Sequence, residues 1–327
     1  MSLKINQERN IIDSLLRSED FALEMAQTLD AAYYIGLNET PPPFLSKSEE
    51  TASVQMSQKE EKIAINLAGF YALECGLGAL CSQTHQKPTD LLQILVEKKA
   101  ASATMLLLNR FANATWKAGQ PFRDLDRIKR PIFKAASLLP KDEVQKDYDQ
   151  IVAAAGKLLA SMQEVRGSSL EDQMKKIRSL LQDESFAFDI ASFLDSTYYT
   201  AQKQIPPPFL SPEEEKATIT KSVKGQKIAT NLAGFYALEC GLDYLQTTQH
   251  KLPSEILKSI KDGTVSQADK QLLCRFANAT WKAGQPFRSL KRITRDTFTP
   301  FYFLTEADIE KDWVQVKAVA GLVLDKL

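Results

Sequence analysis

Apolar residues recur along most of this chain at intervals of three and four, the spacing of one face of an α-helix. Phe21, Met25, Leu29 and Ala32 follow Ser18-Glu19-Asp20, a capping serine with two acids in the first turn. Pro41-Pro42-Pro43-Phe44 cannot continue that helix, because proline rings remove donors and hold the backbone extended. Ser46 to Glu49 and Ser211 to Glu214 both fit the Ser-x-x-Glu capping box, the second with Pro212 at the first helical position. A long helix is expected after each box, running to about Cys81 and Leu245 and interrupted near Gly225 in the second case. Pro253 to Lys261 reads as a short helix, Asp262-Gly263 as a turn, and Ser266 as the cap of a helix through Trp281. Gly119 and Gly284, each followed two residues later by a proline, read as left-handed helix ends. Closing helices are expected at about Lys141–Met162, with Val144, Tyr148, Ile151 and Ala155 on one stripe, and at about Ala307–Lys326. No alternation of period two is long enough to predict a strand.

The pattern repeats. Residues 66 to 77 match residues 231 to 242 at every position, 110 to 123 match 275 to 288, and Pro41 to Ser46 recurs at Pro206 to Ser211, always 165 positions later. The constant offset leaves no net insertion between the matched blocks, whereas 93 to 106 share almost nothing with 258 to 271. The chain is therefore expected to be all-α: two tandem copies, 1–163 and 164–327, each an antiparallel bundle of four or five major helices, related by pseudo-twofold symmetry.

Ala64, Ala68, Ala72 and Gly76 fall four residues apart, as do Ala229, Ala233, Ala237 and Gly241. Such a face admits a neighbouring helix closely, and two partners fit: the equivalent helix of the other copy, or a helix of the same bundle. Either way the two copies are expected to pack together as a pseudo-dimer.

Composition sets limits on function. With 327 residues, 44% hydrophobic, 25% charged and 41 basic against 41 acidic side chains, the chain has the make-up of an ordinary globular protein. No uninterrupted apolar run has the length of a membrane span, and Met1 to Asn6 hold no apolar signal core, which points to the cytoplasm without a membrane partner. Four cysteines without metal-like spacing argue against a disulfide scaffold or a zinc site. His85 and His250 are equivalent, but both follow a long helix and have no carboxylate at ligand spacing, so no metal or other cofactor is implied. Asn113-Ala-Thr115 and Asn278-Ala-Thr280 match a glycosylation acceptor only formally, being placed within helices. Cys75 and Cys240 read as small buried residues. P-loop, GxGxxG and GxSxG patterns do not occur.

The candidate chemistry lies in the matched blocks. Glu74 shares a face with Leu67, Tyr71 and Gly78, and Glu239 with Leu232, Tyr236 and Asp243. A carboxylate in apolar surroundings needs a partner, and Arg110, Lys117 or Arg123 of the same copy are the candidates for Glu74. Arg110, Asn113 and Lys117 share one face of the second matched helix, as do Arg275, Asn278 and Lys282. Residues 110 to 134 carry seven basic against two acidic side chains, and 275 to 299 six against one. Three readings follow. The first is a binding module with a carboxylate- or phosphate-accepting cleft in each half. There Arg110, Lys117 and Arg123 contact the anion, Asn113 and Gln120 orient it, and Trp116 or Tyr71 forms an apolar wall; Arg275, Lys282, Arg288, Asn278, Gln285, Trp281 and Tyr236 do the same in the other half. The second is a protein-interaction scaffold that exposes a patch of the matched residues and has no ligand cavity, as against a purely structural role in which they form an interhelical salt-bridge and hydrogen-bond network. The third is an enzyme using Glu74 and Glu239 as general bases. The sequence pI of about 6.8 weighs against nucleic acid, leaving an anionic small molecule or a protein as the expected partner.

Overall fold

The computed structural model describes residues 2–327, the side chain of Ser2 excepted, and seven of its helices of more than ten residues start at a side-chain cap. Helix α1 (Ser2–Leu16) leads to Ser18, whose hydroxyl accepts the Phe21 N–H and opens α2 (Glu19–Gly36). Next come α3 (Lys47–Thr51), strand β1 (Ser53–Ser57), α4 (Gln58–Thr84), α5 (Pro88–Val96), α6 (Ser102–Arg123) and α7 (Lys141–Ser161). The second copy supplies α8 (Leu170–Leu181), α9 (Glu184–Ala201), strand β2 (Thr218–Ser222), α10 (Val223–Gln249), α11 (Pro253–Asp262), α12 (Gln267–Arg288) and α13 (Glu306–Leu324). The described residues are thus mainly helical, with six helices from each copy besides the single turn and a half of α3.

Helices α4, α6, α10 and α12 form the centre, α6 and α12 each packing against both α4 and α10 and against each other. Around this centre the copies interleave. Helix α2 of the first copy lies on α10 and α13 of the second, while α9 of the second lies on α4 and α7 of the first. Phe21 meets Phe235 edge-on at 5.4 Å, and Phe186 meets Phe70 at 5.5 Å. Phe111 stacks on Phe276 at 4.0 Å, and Phe122 on Phe287 at 5.4 Å, where α6 crosses α12. One apolar cluster runs through both copies, so the midpoint of the chain does not separate two cores. Helix α4 is long and apolar enough to cross a bilayer by composition, with a mean hydropathy of 1.5 over its best window, but 78% of that window is buried against its neighbours.

Several local expectations are corrected. Ser53–Ser57 and Thr218–Ser222 pair as an antiparallel ribbon between the copies, Gln55 opposite Thr220. Five residues with a partner 165 positions away are too short and too distant to read as a strand. The capping box at Ser46 and Glu49 forms but opens only α3. Its counterpart at Ser211 and Glu214 makes the same two bonds around a turn. The long helices start later, at Ser57 and Ser222, and Gly225 lies unbroken in the first turn of α10. Helices α6 and α12 do not stop at Gly119 and Gly284 but run through Pro121 and Pro286 to Arg123 and Arg288. A proline is tolerated there because only the last turn lies beyond it, so one backbone bond is lost near an end that frays. The glycines serve contact instead: a Cβ on Gly119 would stand 3.0 Å from the Phe287 ring, and one on Gly284 2.9 Å from Phe122. Left-handed caps occur instead at His85 on α4, His250 on α10 and Gly263 on α11. In the small-residue stripe, Gly76 and Gly241 receive Leu108 and Leu273, from the second matched helix of the same copy.

Candidate functional site

The matched blocks meet across the copies. Lys117 Nζ on α6 donates to Glu239 Oε2 on α10 at 2.5 Å, and Lys282 Nζ on α12 donates to Glu74 Oε2 on α4 at 2.5 Å. Both lysines are fully buried. Cys240 and Asn113 complete the first group, the thiol 3.5 Å from the Asn113 side-chain oxygen, and Cys75 and Asn278 complete the second at 3.8 Å. Burial opposes the ammonium charge of Lys117, but Cys240 and Glu239 beside it outweigh that cost and hold its pKa above the ordinary value. Cys75 and Glu74 do the same for Lys282. Burial, reinforced by the neighbouring glutamate, pushes the Cys75 and Cys240 thiols far above their usual range, so neither is a nucleophile at neutral pH.

The expectation that Glu74 pairs with Arg110, Lys117 or Arg123 is therefore overturned: its partner is Lys282 of the other copy. A lysine on one central helix and a glutamate on another, each in dry surroundings, are stable only together. Lys117 and Lys282, with Asn113 and Asn278 beside them, are thus engaged within the protein. Trp116 packs on Phe133 at 5.8 Å and Trp281 on Phe298 at 5.9 Å. Tyr71 meets Phe298 and Tyr236 meets Phe133, each at 5.4 Å across the copies. Gln120 and Gln285 are buried and accept from Arg127 Nε and Arg292 Nε, each at 2.7 Å.

Around this shared framework the two groups differ. Arg110 Nε meets Asp243 Oδ2 at 2.5 Å, and Arg9 stands 3.5 Å from the other oxygen of the same carboxylate. Ala136 N–H donates to Glu239 Oε1 at 2.6 Å. A cavity of about 20 Å³, room for about one water, lies beside Glu239 and Asp243. In the other group Gly78 stands where Asp243 does, Met174 where Arg9 does, and Phe301 where Ala136 does. Arg275 makes no ion pair among the described residues, donating instead to Ser82 Oγ at 2.9 Å. Four of its group's buried polar atoms have no partner: Arg275 Nη1, Glu74 Oε1, Tyr71 Oη and Thr299 Oγ1.

Arg123 and Arg288 lie outside the buried groups, near the ends of α6 and α12. Arg123, Lys221 and Lys224 line a cleft of about 340 Å³ at the first turn of α10, with Asp124 as its one carboxylate. Burial, and then the charges of Arg123 and Arg130, push the Arg127 guanidinium down to about 10; burial, Arg288 and Arg295 do the same to Arg292. Each copy thus gathers three arginines at and just beyond the end of its second matched helix.

The sequence reading named the residues of the buried groups but not their pairing. Asp147 and Asp312 escaped it. Burial first, and then Glu143 or Asp308, raise their carboxyls to about 7 against the opposing pull of Lys117 and Lys282. Their 165-residue spacing was a legible signal. Lys221 and Lys224 were also missed: β2 brings Lys221, which has Met56 as its counterpart, to the end of α6, and Lys224 follows in the first turn of α10. Comparison with known protein families, with characterised proteins and with solved structures finds no match for this chain.

Proposed function

We propose that this chain is a binding module for a phosphate-bearing or similarly anionic small molecule, built from two helical copies in a pseudo-twofold arrangement. The anion is taken at the first turn of α10 rather than in the buried Lys–Glu groups, which hold the copies together. The observation that carries this reading is the charge of the cleft: Arg123, Lys221 and Lys224 surround the start of a 27-residue helix whose first turn holds no acid. The helix dipole favours an anion there. The corresponding turn of α4 carries Glu60 and Glu61, so the second copy's cleft is the one suited to bind. Lys221 is already engaged by Glu61 and by the Arg123 carbonyl, which leaves Arg123 and Lys224 as the contacts the anion takes. The reading of Glu74 and Glu239 as general bases is weakened by the lysines that hold them and, at Glu239, by a neighbouring space of about 20 Å³. A cytoplasmic setting suits four free, buried cysteines.

Calorimetric titration with inorganic pyrophosphate tests this. Saturable binding that weakens at least tenfold in Arg123→Gln and in Lys224→Gln, with helical circular dichroism unchanged, supports the cleft; equal binding by the variants, or none by the wild type, overturns it. A second reading, a protein-interaction scaffold, is favoured by one observation. Tyr33, Ile35 and Leu37 at the end of α2 are exposed, as are Phe193, Tyr198 and Ile205 along and beyond α9. Retention of a protein partner that charged substitutions at Tyr33 and Tyr198 abolish would favour it.

A further inference from the structure

The second copy carries a surface cluster of cations whose equivalent in the first copy is neutralised from within. From the end of α12 the chain runs Arg288-Ser-Leu-Lys-Arg-Ile-Thr-Arg295, and Leu290 and Ile293 are buried, which pins this turn to the core. Arg288, Lys291 and Arg295 are left exposed and Arg292 half-buried. Arg292 is set by buried Gln285, whose side-chain oxygen accepts its Nε at 2.7 Å, and the Arg295 carbonyl is held by Gln182 Nε2 at 3.0 Å. None of the four cations forms an ion pair among the described residues. Asp296, the one acid between 275 and 299, is fully exposed and stands 3.9 Å from Arg178.

The equivalent stretch, Arg123 to Arg130, has the same scaffold with different charges. Asp124 stands where Ser289 does, and Asp126 where Lys291 does. Asp126 takes Lys129 at 2.9 Å, Glu19 takes the same lysine at 2.5 Å, and the Glu61 charge favours the Arg123 guanidinium. Arg292 instead feels Arg288 and Arg295 as like charges, with no carboxylate opposing them. Cations held together on a fixed turn repel one another, so an anion that neutralises them is favoured.

We propose that Arg288, Lys291, Arg292 and Arg295 form a docking surface for the sugar–phosphate backbone of a nucleic-acid duplex. The zero net charge of the chain does not oppose this, because a charged partner responds to the field within about 10 Å of the surface it meets. A backbone fits better than a compact anion because the cations are spread over an exposed turn, where successive phosphates can each meet one. Three of the four are arginines, whose planar fork matches phosphate oxygens. A duplex is favoured over a single strand because single strands are held by exposed aromatic rings. Between 275 and 299 Phe276, Phe287 and Phe298 are buried and Trp281 is half-buried, so no ring is offered for a base to stack on. The surface uses no residue of the cleft at α10 and stands independently of it.

Fluorescence anisotropy of a labelled DNA duplex, and of an RNA duplex of the same sequence, is followed with the full-length protein at several salt concentrations. At least one duplex should bind saturably at low salt, its log K falling with log salt at a slope of about −3 to −4, near 0.9 per neutralised phosphate. Arg288→Gln/Arg292→Gln/Arg295→Gln should weaken binding at least tenfold and bring the slope to about −1. Ser289→Asp/Lys291→Asp gives the cluster the two carboxylates that the first copy carries on the same scaffold, and should also weaken binding at least tenfold. This second variant decides if the triple variant fails to fold. Binding of neither duplex, or unchanged binding by Ser289→Asp/Lys291→Asp, overturns the proposal. So does a single strand that binds more tightly than its duplex, or displacement of the duplex by poly-glutamate at equal charge.

Discussion

Lys282 on the second copy and Glu74 on the first meet at 2.5 Å with both side chains removed from water. Such a pair adds little net stability over an apolar pair of the same shape, but breaking it leaves a stranded charge. Lys282→Met is therefore expected to destabilise the protein by about 3–5 kcal/mol. The double variant Lys282→Met/Glu74→Leu should recover most of that loss. Lys117→Met should cost less than Lys282→Met, because Glu239 keeps the Ala136 N–H bond that Glu74 lacks. Urea unfolding of the four proteins checks the order.

Gly119 and Gly284 predict a different kind of sensitivity. A methyl group on either would press on a buried phenylalanine ring already stacked against its counterpart, Phe122 on Phe287. Alanine at either position is expected to cost about 1–3 kcal/mol, the usual range for overpacking. Gly69, also within a matched block, is the control: its added Cβ would find Leu194 at 3.7 Å, an ordinary contact. Gly69→Ala should stabilise by roughly 0.5–1 kcal/mol, since alanine loses less freedom than glycine in a helix. Thermal melts of the three single variants separate the two behaviours.

The protein should lose stability as pH rises from about 4 to about 7. Asp147 and Asp312 ionise at 3.8 in the unfolded chain and at about 7 in the fold. Between those values the folded protein keeps protons that the unfolded chain has released, so the slope of stability against pH is negative. Asp147 faces Glu143 as well as the cations Lys117, Arg110 and Lys146, and Asp312 faces Asp308 with Lys282 and Lys311; burial outweighs the cations in both. Asp147→Asn/Asp312→Asn should flatten this slope, matching the wild type near pH 4 and exceeding it at pH 8. Denaturation midpoints measured across the range test the sign.

Helix periodicity gave the type of the long central and closing helices, though α1, α8, α9 and the two strands went unplaced, and caps such as Ser18 and Ser266 gave several starts, because both are local properties of neighbouring residues. The matched blocks announced Glu74, Lys117 and their counterparts as a polar group in an apolar setting. What the residues did not announce was which copy each partner came from, since Lys117 and Lys282 have the same surroundings in sequence. Pro121 and Pro286 misled in the same way: a proline near a helix end reads as a stop unless one knows that the final turn is held by packing of Phe122 on Phe287. The difference at Asp243 and Gly78 was visible at the edge of a perfectly matched block, yet its meaning depended on Arg110 and Arg275 lying opposite, a relationship between distant segments.

Separating the copies gives the most direct test of the interleaving. Cut between residues 163 and 164, the first fragment keeps Lys117 and Glu74 but loses Glu239 and Lys282. Helix α2 loses α10 and α13, the surface on which it lies, and Phe21 loses Phe235. Two stranded buried charges and an unseated helix exceed what a domain of ordinary stability tolerates. Neither fragment is therefore expected to fold as a monomer; each should show reduced helical circular dichroism or assemble with a second chain. Mixed in equal amounts, the fragments should regain the helical signal and elute as a one-to-one complex. A monomeric first fragment that unfolds cooperatively by light scattering and urea titration would mean that each copy carries its own complete core, and the cross-copy Lys–Glu pairs would lose their place as the bond between them.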